Sequence, residues 1–379
     1  MTCVIENGGT SVCRMSAHPF TNGHYTKLIQ LAREPGGVLL SMNKRSRPTV
    51  ALALGSGAAR GWAHIGVIRE LQRMGITADI VAGSSVGAIV AGALASGNLD
   101  PFEAWVSGLG RVDIIRLLDA KISGGGFLQG IRLMSAIEKQ IGDPEIGDLD
   151  MRFACVATEL ATGREKWIRA GSLLDACRAS IALPGVFAPA RDHAGGYLLD
   201  GGLVNPVPVS LARAMGADII IAVNLNGDLI GRHFAPDRAA TSDDTGLSED
   251  QRAAIAKKDS ALAKWTVKMK AGFGNHLGTY SASLRKKAAA DPGLFDVIAG
   301  SLNIVQDRIT RSRMAGEPPD IHITPRLGRI GLMEFDRAEE SIQEGVAATR
   351  RQQHELNALA RVLADHQQPQ APAAEVIGS

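Results

Sequence analysis

No run of about 18 consecutive apolar residues occurs in this chain, so by the length criterion it carries no membrane-spanning helix. It also lacks a surplus of either charge. Its 41 basic and 39 acidic side chains leave a formal net charge of +2. No global field therefore favours nucleic acid as a partner, and any basic surface must be local. Cysteine is scarce. Cys3, Cys13, Cys155 and Cys177 lack metal-ligand spacing, and the last two sit in apolar segments where reduced, buried thiols are expected. Neither a disulfide framework nor a metal site is expected. The first ten residues contain Glu6 and glycines in place of the basic start and apolar stretch of a signal peptide, which points to a cytoplasmic protein. Met42, shortly before the first orderly segment, stands as an alternative start.

The chain does have enough apolar material for a sizeable core: 45% of its 379 residues are hydrophobic. Residues 1–48 show little regular pattern and are expected to form an irregular extension. Order begins at Thr49. Thr49–Leu54 is a short apolar run ending in Gly55-Ser56-Gly57, and Trp62–Met74 follows with helical spacing. Ala78–Ala82, the turn Gly83–Gly87 and the small-residue helix Val86–Ala95 repeat the pattern. Two successive strand-turn-helix units imply a parallel sheet with helices packed on it. Phe153–Glu159 and Glu165–Arg169 flank Ala161-Thr162-Gly163 as a hairpin, so the sheet is expected to be mixed. Tyr197–Leu199, Asp218–Leu225 and Asp320–Thr324 are further strands. Helices are expected at Val209–Met215 and from about Phe335, and the tail after Asp365 is expected to be disordered.

Between Gly227 and Pro292 the composition turns polar and then basic, the mark of an insertion. Ser248 precedes Glu249, Asp250 and Gln251 in a capping-box arrangement, and Ile255, Leu262, Trp265 and Met269 fall near one helical face. Arg252 to Lys287 holds nine basic residues against one acidic residue, Asp259. Two readings stand: a helix packed on its own domain, or an amphipathic segment resting on an anionic membrane surface.

Gly83-Ser84-Ser85-Val86-Gly87 centres Ser85 in a G-x-S-x-G pattern between strand and helix, where the strained turn thrusts the hydroxyl outward. Ser85 also opens a helix, whose N-terminus favours negative charge developing nearby. A serine that merely caps its helix is the plainer alternative. The companion turn Gly55-Ser56-Gly57-Ala58-Ala59-Arg60-Gly61 belongs to the neighbouring parallel strand, so both turns should meet at one sheet edge. N–H groups near Gly57 and Ala58 could hold an oxyanion, a contribution of about 3–4 kcal/mol per good donor, with Arg60 ordering the loop. A dinucleotide fingerprint fits poorly: Arg60 occupies its last glycine position, and Asp79 comes too early for a ribose-binding acid.

Serine needs a proton acceptor. Asp200 closes a strand at Gly201-Gly202, whose glycines let the backbone bend tightly, and can act as base if burial raises its pKa; an ordinary Asp-Gly turn is the plainer reading. Ser85, Asp200 and His322 follow the chain order of a hydrolase triad, yet His322 alternates within a strand and reads as an edge residue. His64 and His193 carry no distinguishing context.

Gly55–Gly61, Gly83–Gly87 and Asp200-Gly201-Gly202 together resemble the patatin-like phospholipase family, especially short bacterial members related to neuropathy target esterase. Leu183-Pro184-Gly185-Val186-Phe187 and the ending from Asp320 through Phe335-Asp336-Arg337-Ala338 are also similar, and the resemblance spans roughly residues 49–349. It implies a three-layer α/β/α fold with a mainly parallel central sheet, a Ser85–Asp200 dyad working without metal or cofactor, and lipid or acyl-ester substrates. Ser56, where the family often has glycine, and the long insertion are departures. A non-catalytic scaffold on the same fold is the rival function.

Overall fold

The structure is a computed structural model that describes residues 2–5, 11–14, 47–117, 122–123, 127–192, 195–228 and 294–366. His193, the basic stretch Arg252–Lys287 and the tail beyond residue 366 lie outside these. Residues 1–46 form a unit of their own, in which β1 (Thr2–Ile5) pairs antiparallel with β2 (Ser11–Arg14).

The second unit, from Arg47 onward, is built on an eight-stranded sheet. Its strands are β3 (Val50–Leu54), β4 (Ile80–Ser84), β7 (Arg152–Glu159), β8 (Glu165–Ile168), β9 (Ala190–Arg191), β10 (Tyr197–Asp200), β11 (Ile219–Val223) and β12 (Ile321–Ile323), while β5 (Ile122–Ser123) and β6 (Phe127–Leu128) form a separate ribbon. The order is β12-β11-β3-β4-β7-β10-β9, with β8 also on β7. The pairs among β12, β11, β3, β4 and β7 are parallel, and those made by β8, β9 and β10 are antiparallel.

Period-two alternation divides the core. Val50, Leu52, Leu54, Val81, Phe153, Cys155, Ile221 and Val223 face the larger helical layer, whose helices are α1 (Ala63–Arg73), α2 (Val86–Ala95), α3 (Leu99–Ser107), α4 (Arg111–Leu117), α5 (Ile131–Ile141), α6 (Leu173–Ser180), α9 (Ala338–Arg351) and α10 (Gln353–Asp365). Ala51, Ala53, Ala82, Ala154 and Ala222 line the other face, small enough for α7 (Val209–Ala214) to pack closely, and Met314 of α8 (Leu294–Gly316) joins them. This is a three-layer α/β/α sandwich on a mostly parallel sheet. Cys155 and Cys177 are fully buried free thiols.

Two expectations shift. The C-terminal helix starts at Ala338 instead of Phe335 and breaks at Gln352 into α9 and α10. The 23-residue α8 has no counterpart in the sequence reading. Its buried side chains include Asn303, Gln306, Asp307 and Thr310, whereas Val297, Ile298, Ile304 and Val305 are exposed, so its apolar pattern does not mark its inner face.

Candidate active site

β4 ends at Ser84 and α2 begins at Val86, so the turn between them is Ser85 alone, tighter than the Gly83–Gly87 span expected from sequence. One residue can reverse the chain there because Ser85 takes φ 56° and ψ −128°, a conformation that costs a non-glycine residue on the order of 1–3 kcal/mol. Among the described residues only Ser85 and Ala58 (φ 50°) are non-glycines with positive φ, and both lie in the two turns singled out above. The Ser85 N–H donates to Ser180 Oγ at 2.9 Å, and that hydroxyl donates to the Val156 carbonyl at 2.7 Å, pinning the strained turn to β7. Ser180 escaped the sequence reading, since a serine at the end of an amphipathic helix gives no signal.

The motif glycines are needed for close approach. None of Gly55, Gly57, Gly61, Gly83, Gly87, Gly201 and Gly202 is left-handed. A Cβ on Gly87 would stand 2.2 Å from the Leu54 carbonyl oxygen, one on Gly83 2.4 Å from Ala88 Cα, and one on Gly61 2.2 Å from Val86 Cγ2. A Cβ on Gly55 would meet Val223 O at 2.7 Å and one on Gly57 would meet Leu225 Cδ1 at 2.7 Å. At Gly201 the obstacle is Val156 O at 2.2 Å, and at Gly202 it is Gln306 Nε2 at 2.5 Å. Besides the bend into the short helical turn Gly201–Leu203, glycine is thus required by close backbone approach at Gly201 and by the Gln306 side chain at Gly202.

Asp200 reaches Ser85 by a route the sequence does not display. β8 pairs with Cys155–Thr158 of β7, so β4 (Ser84 opposite Val156) and β10 (Asp200 opposite Ala157) share the other edge. They run towards each other along it, β4 parallel and β10 antiparallel to β7, and their ends meet at adjacent residues. Ser85 Oγ donates to Asp200 Oδ2 at 2.5 Å. The Gly202 N–H donates to Oδ1 at 2.7 Å, and the Asp200 backbone is held by Ala182 O and by the Thr158 hydroxyl. Asp200 is 1% exposed, and burial pushes its carboxyl up to about 6 against the lowering effect of the Ser85 and Gly202 hydrogen bonds.

In the glycine loop the N–H groups of Gly55, Ser56, Ala59 and Arg60 donate to Val223, Pro206, Leu332 and Gly57 carbonyls. Those of Gly57 and Ala58 have no acceptor among the described residues, and Ala58 lines the same cavity as Ser85. Arg60 is fully buried and donates to Ile330 O and Asn226 Oδ1; burial lowers its guanidinium to about 10, so it stays charged while ordering the loop. His64 gains the context it lacked in sequence. It is buried, holds the Gly55 carbonyl at 2.7 Å through Nε2, and burial lowers it to about 4. It is a neutral brace for the loop, with no contact to Ser85. His322 lies on the edge strand β12 and is exposed. Ser56 donates to Gln306 Oε1 at 3.2 Å, as does Asn226 at 3.0 Å, so this departure from glycine is bonded to α8. Asn226, just past an apolar strand parallel to β3, could have been suspected from its place at the same sheet edge.

Ser85, Asp200 and Ala58 line a cavity of about 100 Å³ whose walls are almost wholly apolar, with Trp62, Ile89, Trp105, Ile137, Leu183 and Phe187 among them. Helices α3 to α5, absent from the sequence reading, supply much of that wall. A larger, open cleft of about 470 Å³ lies at the far end of α2 and contains neither Ser85 nor a strained residue. Among the described residues no group of three or more His, Cys, Asp or Glu could hold a metal ion, and no helix is long and apolar enough to cross a membrane.

With a strained serine elbow, a glycine loop and a buried carboxylate gathered at one apolar cavity, the chain falls in the patatin-like class by sequence: the patatin-like phospholipase family profile matches residues 52–213. An NTE family protein of Mycobacterium tuberculosis is 35% identical over 341 residues, covering 83% of this chain and 93% of its own length. A lysophospholipase of Emericella nidulans is 28% identical over 306 residues, 79% of this chain and 18% of the fungal protein. Among solved structures, VipD from Legionella pneumophila aligns over 89% of this chain and 73% of its own with a TM-score of 0.44 and 14% identity. The chain belongs to the NTE family of patatin-like phospholipases, a family of lipid hydrolases.

Proposed function

We propose that this protein hydrolyses lipid acyl esters through an acyl-serine intermediate carried by Ser85, with Asp200 as its base. The observation that carries the reading is the 2.5 Å hydrogen bond from Ser85 Oγ to a buried carboxylate, both lining one apolar cavity. Serine becomes a competent nucleophile when a neighbouring base takes its proton, and a carboxyl raised to about 6 is largely ionised at neutral pH while more basic than an ordinary aspartate.

As Ser85 Oγ attacks the ester carbonyl, its proton passes to Asp200 Oδ2 and the carbonyl electron pair moves to oxygen, facing the Gly57 and Ala58 N–H groups. Collapse expels the alcohol, which takes the proton from Asp200 and leaves the acyl group on Ser85. Water, deprotonated by Asp200, attacks the acyl carbonyl, and Ser85 leaves with that proton as the fatty acid departs. The cavity is narrow beside the roughly 300–1,000 Å³ of sites that hold drug-sized ligands, which suits one slender acyl chain. The lysophospholipase activity in the fungal relative's name agrees with this substrate class.

The test is covalent labelling with a fluorophosphonate, whose phosphorus mimics the tetrahedral state. A stoichiometric adduct on Ser85, absent from Ser85→Ala and much slowed in Asp200→Asn, is expected by peptide mass spectrometry. No adduct on folded protein, with or without lipid vesicles, would reject the dyad.

A further inference from the structure

Helix α8 carries its polarity inside out. Asn303, Gln306 and Thr310 face inward, and Gln306 fastens the helix to Ser56 and Asn226 at the sheet edge that bears the site. Outward stand Val297, Ile298, Ile304 and Val305, each 44–50% exposed. They are four of the ten large exposed hydrophobic side chains among the described residues, and no other element carries more than one. Single apolar side chains are ordinary on a surface, but a stripe of four on one helix is not. At 3.6 residues per turn the same face continues into Arg308, which is exposed, and into Arg311, exposed while its Nε donates to the buried Asp307 carboxylate at 2.7 Å.

We propose that this outer face of α8 docks on an anionic lipid bilayer, its apolar stripe entering the headgroup boundary and Arg308 and Arg311 meeting lipid phosphates. The inference rests on the lipid-ester reading, because such substrates reside in bilayers and α8 is bonded to the edge that carries Ser85. A bilayer supplies an apolar interior beneath an anionic surface, matching both halves of the face. The chain's own Arg252–Lys287 stretch, with nine basic residues against one acidic, matches the arginine half poorly because like charges repel.

The experiment compares the full chain with an Ile304→Gln/Val305→Gln variant, substitutions that favour helix at least as well as the originals, and with Val362→Gln on α10 as control. Co-sedimentation with phosphatidylglycerol-containing vesicles and with pure phosphatidylcholine vesicles is read beside hydrolysis of a vesicle-dissolved ester and of a short water-soluble ester. The wild type should bind anionic vesicles, and bind them weakly at about 0.5 M salt. The double variant should lose binding and vesicle hydrolysis by about tenfold or more, keep soluble-ester hydrolysis within about twofold, and melt within about 2 °C of wild type. Undiminished binding in the variant, no binding by the wild type, or a fall of several degrees in melting temperature would overturn the proposal, the last because the stripe would then be packed within the protein. Stripe-dependent binding by a protein that cleaves neither ester would uphold the docking face and reject the hydrolase reading.

Discussion

At the scale of the residue, Asp200 is held in a state that favours reactivity over stability. Its folded pKa of about 6 exceeds the ordinary 3.8, so between those values the folded protein binds a proton that the unfolded chain has released. The associated stability is fully present below pH 3.8 and is lost as pH rises through 6. Asp200→Asn removes that buried charge and should raise the melting temperature at pH 8 by a few degrees, while ester hydrolysis falls by about 10²–10⁴-fold. A melting temperature lowered in step with activity would show that the carboxylate is structural. In the wild type, kcat/KM should climb with pH below about 6 and level off above it, as the carboxylate form of Asp200 becomes populated.

Among the elements, the site depends on backbones that approach too closely for a side chain. Gly87 lies against the Leu54 carbonyl, while Gly147 has nothing within 4 Å of its ideal Cβ and no left-handed φ. Gly87→Ala should therefore cost about 1–3 kcal/mol or more by overpacking. Gly147→Ala should be neutral or stabilise by about 0.4–1 kcal/mol. Urea melts of the two variants measure the contrast. Equal effects would mean that the β4–α2 turn relaxes easily. The same crowding explains why the motifs were legible: only glycine satisfies these distances, so the requirement is written as a residue type. Ser180, His64 and Gln306 make equally specific bonds, but serine, histidine and glutamine occur for many reasons, and nothing in their local sequence marks the role.

Over the whole molecule, the C-terminal helices are tied to the half that carries Ser85. α9 crosses α1 through Gly66 and Gly345, where a Cβ would lie 1.9 Å from Ile342 O and 2.0 Å from Ala63 O. Beside that crossing Glu70 is buried and receives Arg73 and Arg350. The Arg73 hydrogen bond, offset by burial and reinforced by Arg350, lowers Glu70 to about 2. A depressed carboxylate stabilises the fold above its unfolded pKa, and that contribution is lost as pH falls from 4.5 through 2. Glu70→Gln should cost about 1–3 kcal/mol at pH 7 and less at pH 2.5, as read by denaturant titration at both pH values. An equal loss at both would assign the contact to shape rather than charge.

The sequence by itself determined the layered α/β class, the elbow, the glycine loop and the Asp-Gly-Gly turn, because alternation, helical spacing and glycine crowding are local constraints that leave local marks. Tertiary structure alone decided how Asp200 meets Ser85. β4 and β10 share one edge of β7 and end there face to face, and strand pairing across more than a hundred residues has no periodicity of its own to read. It also decided which side of α8 faces inward. A helix normally buries its apolar stripe, and here the Ser56 hydroxyl and Asn226 amide, donating to Gln306 Oε1, hold the polar face inward and the stripe outward.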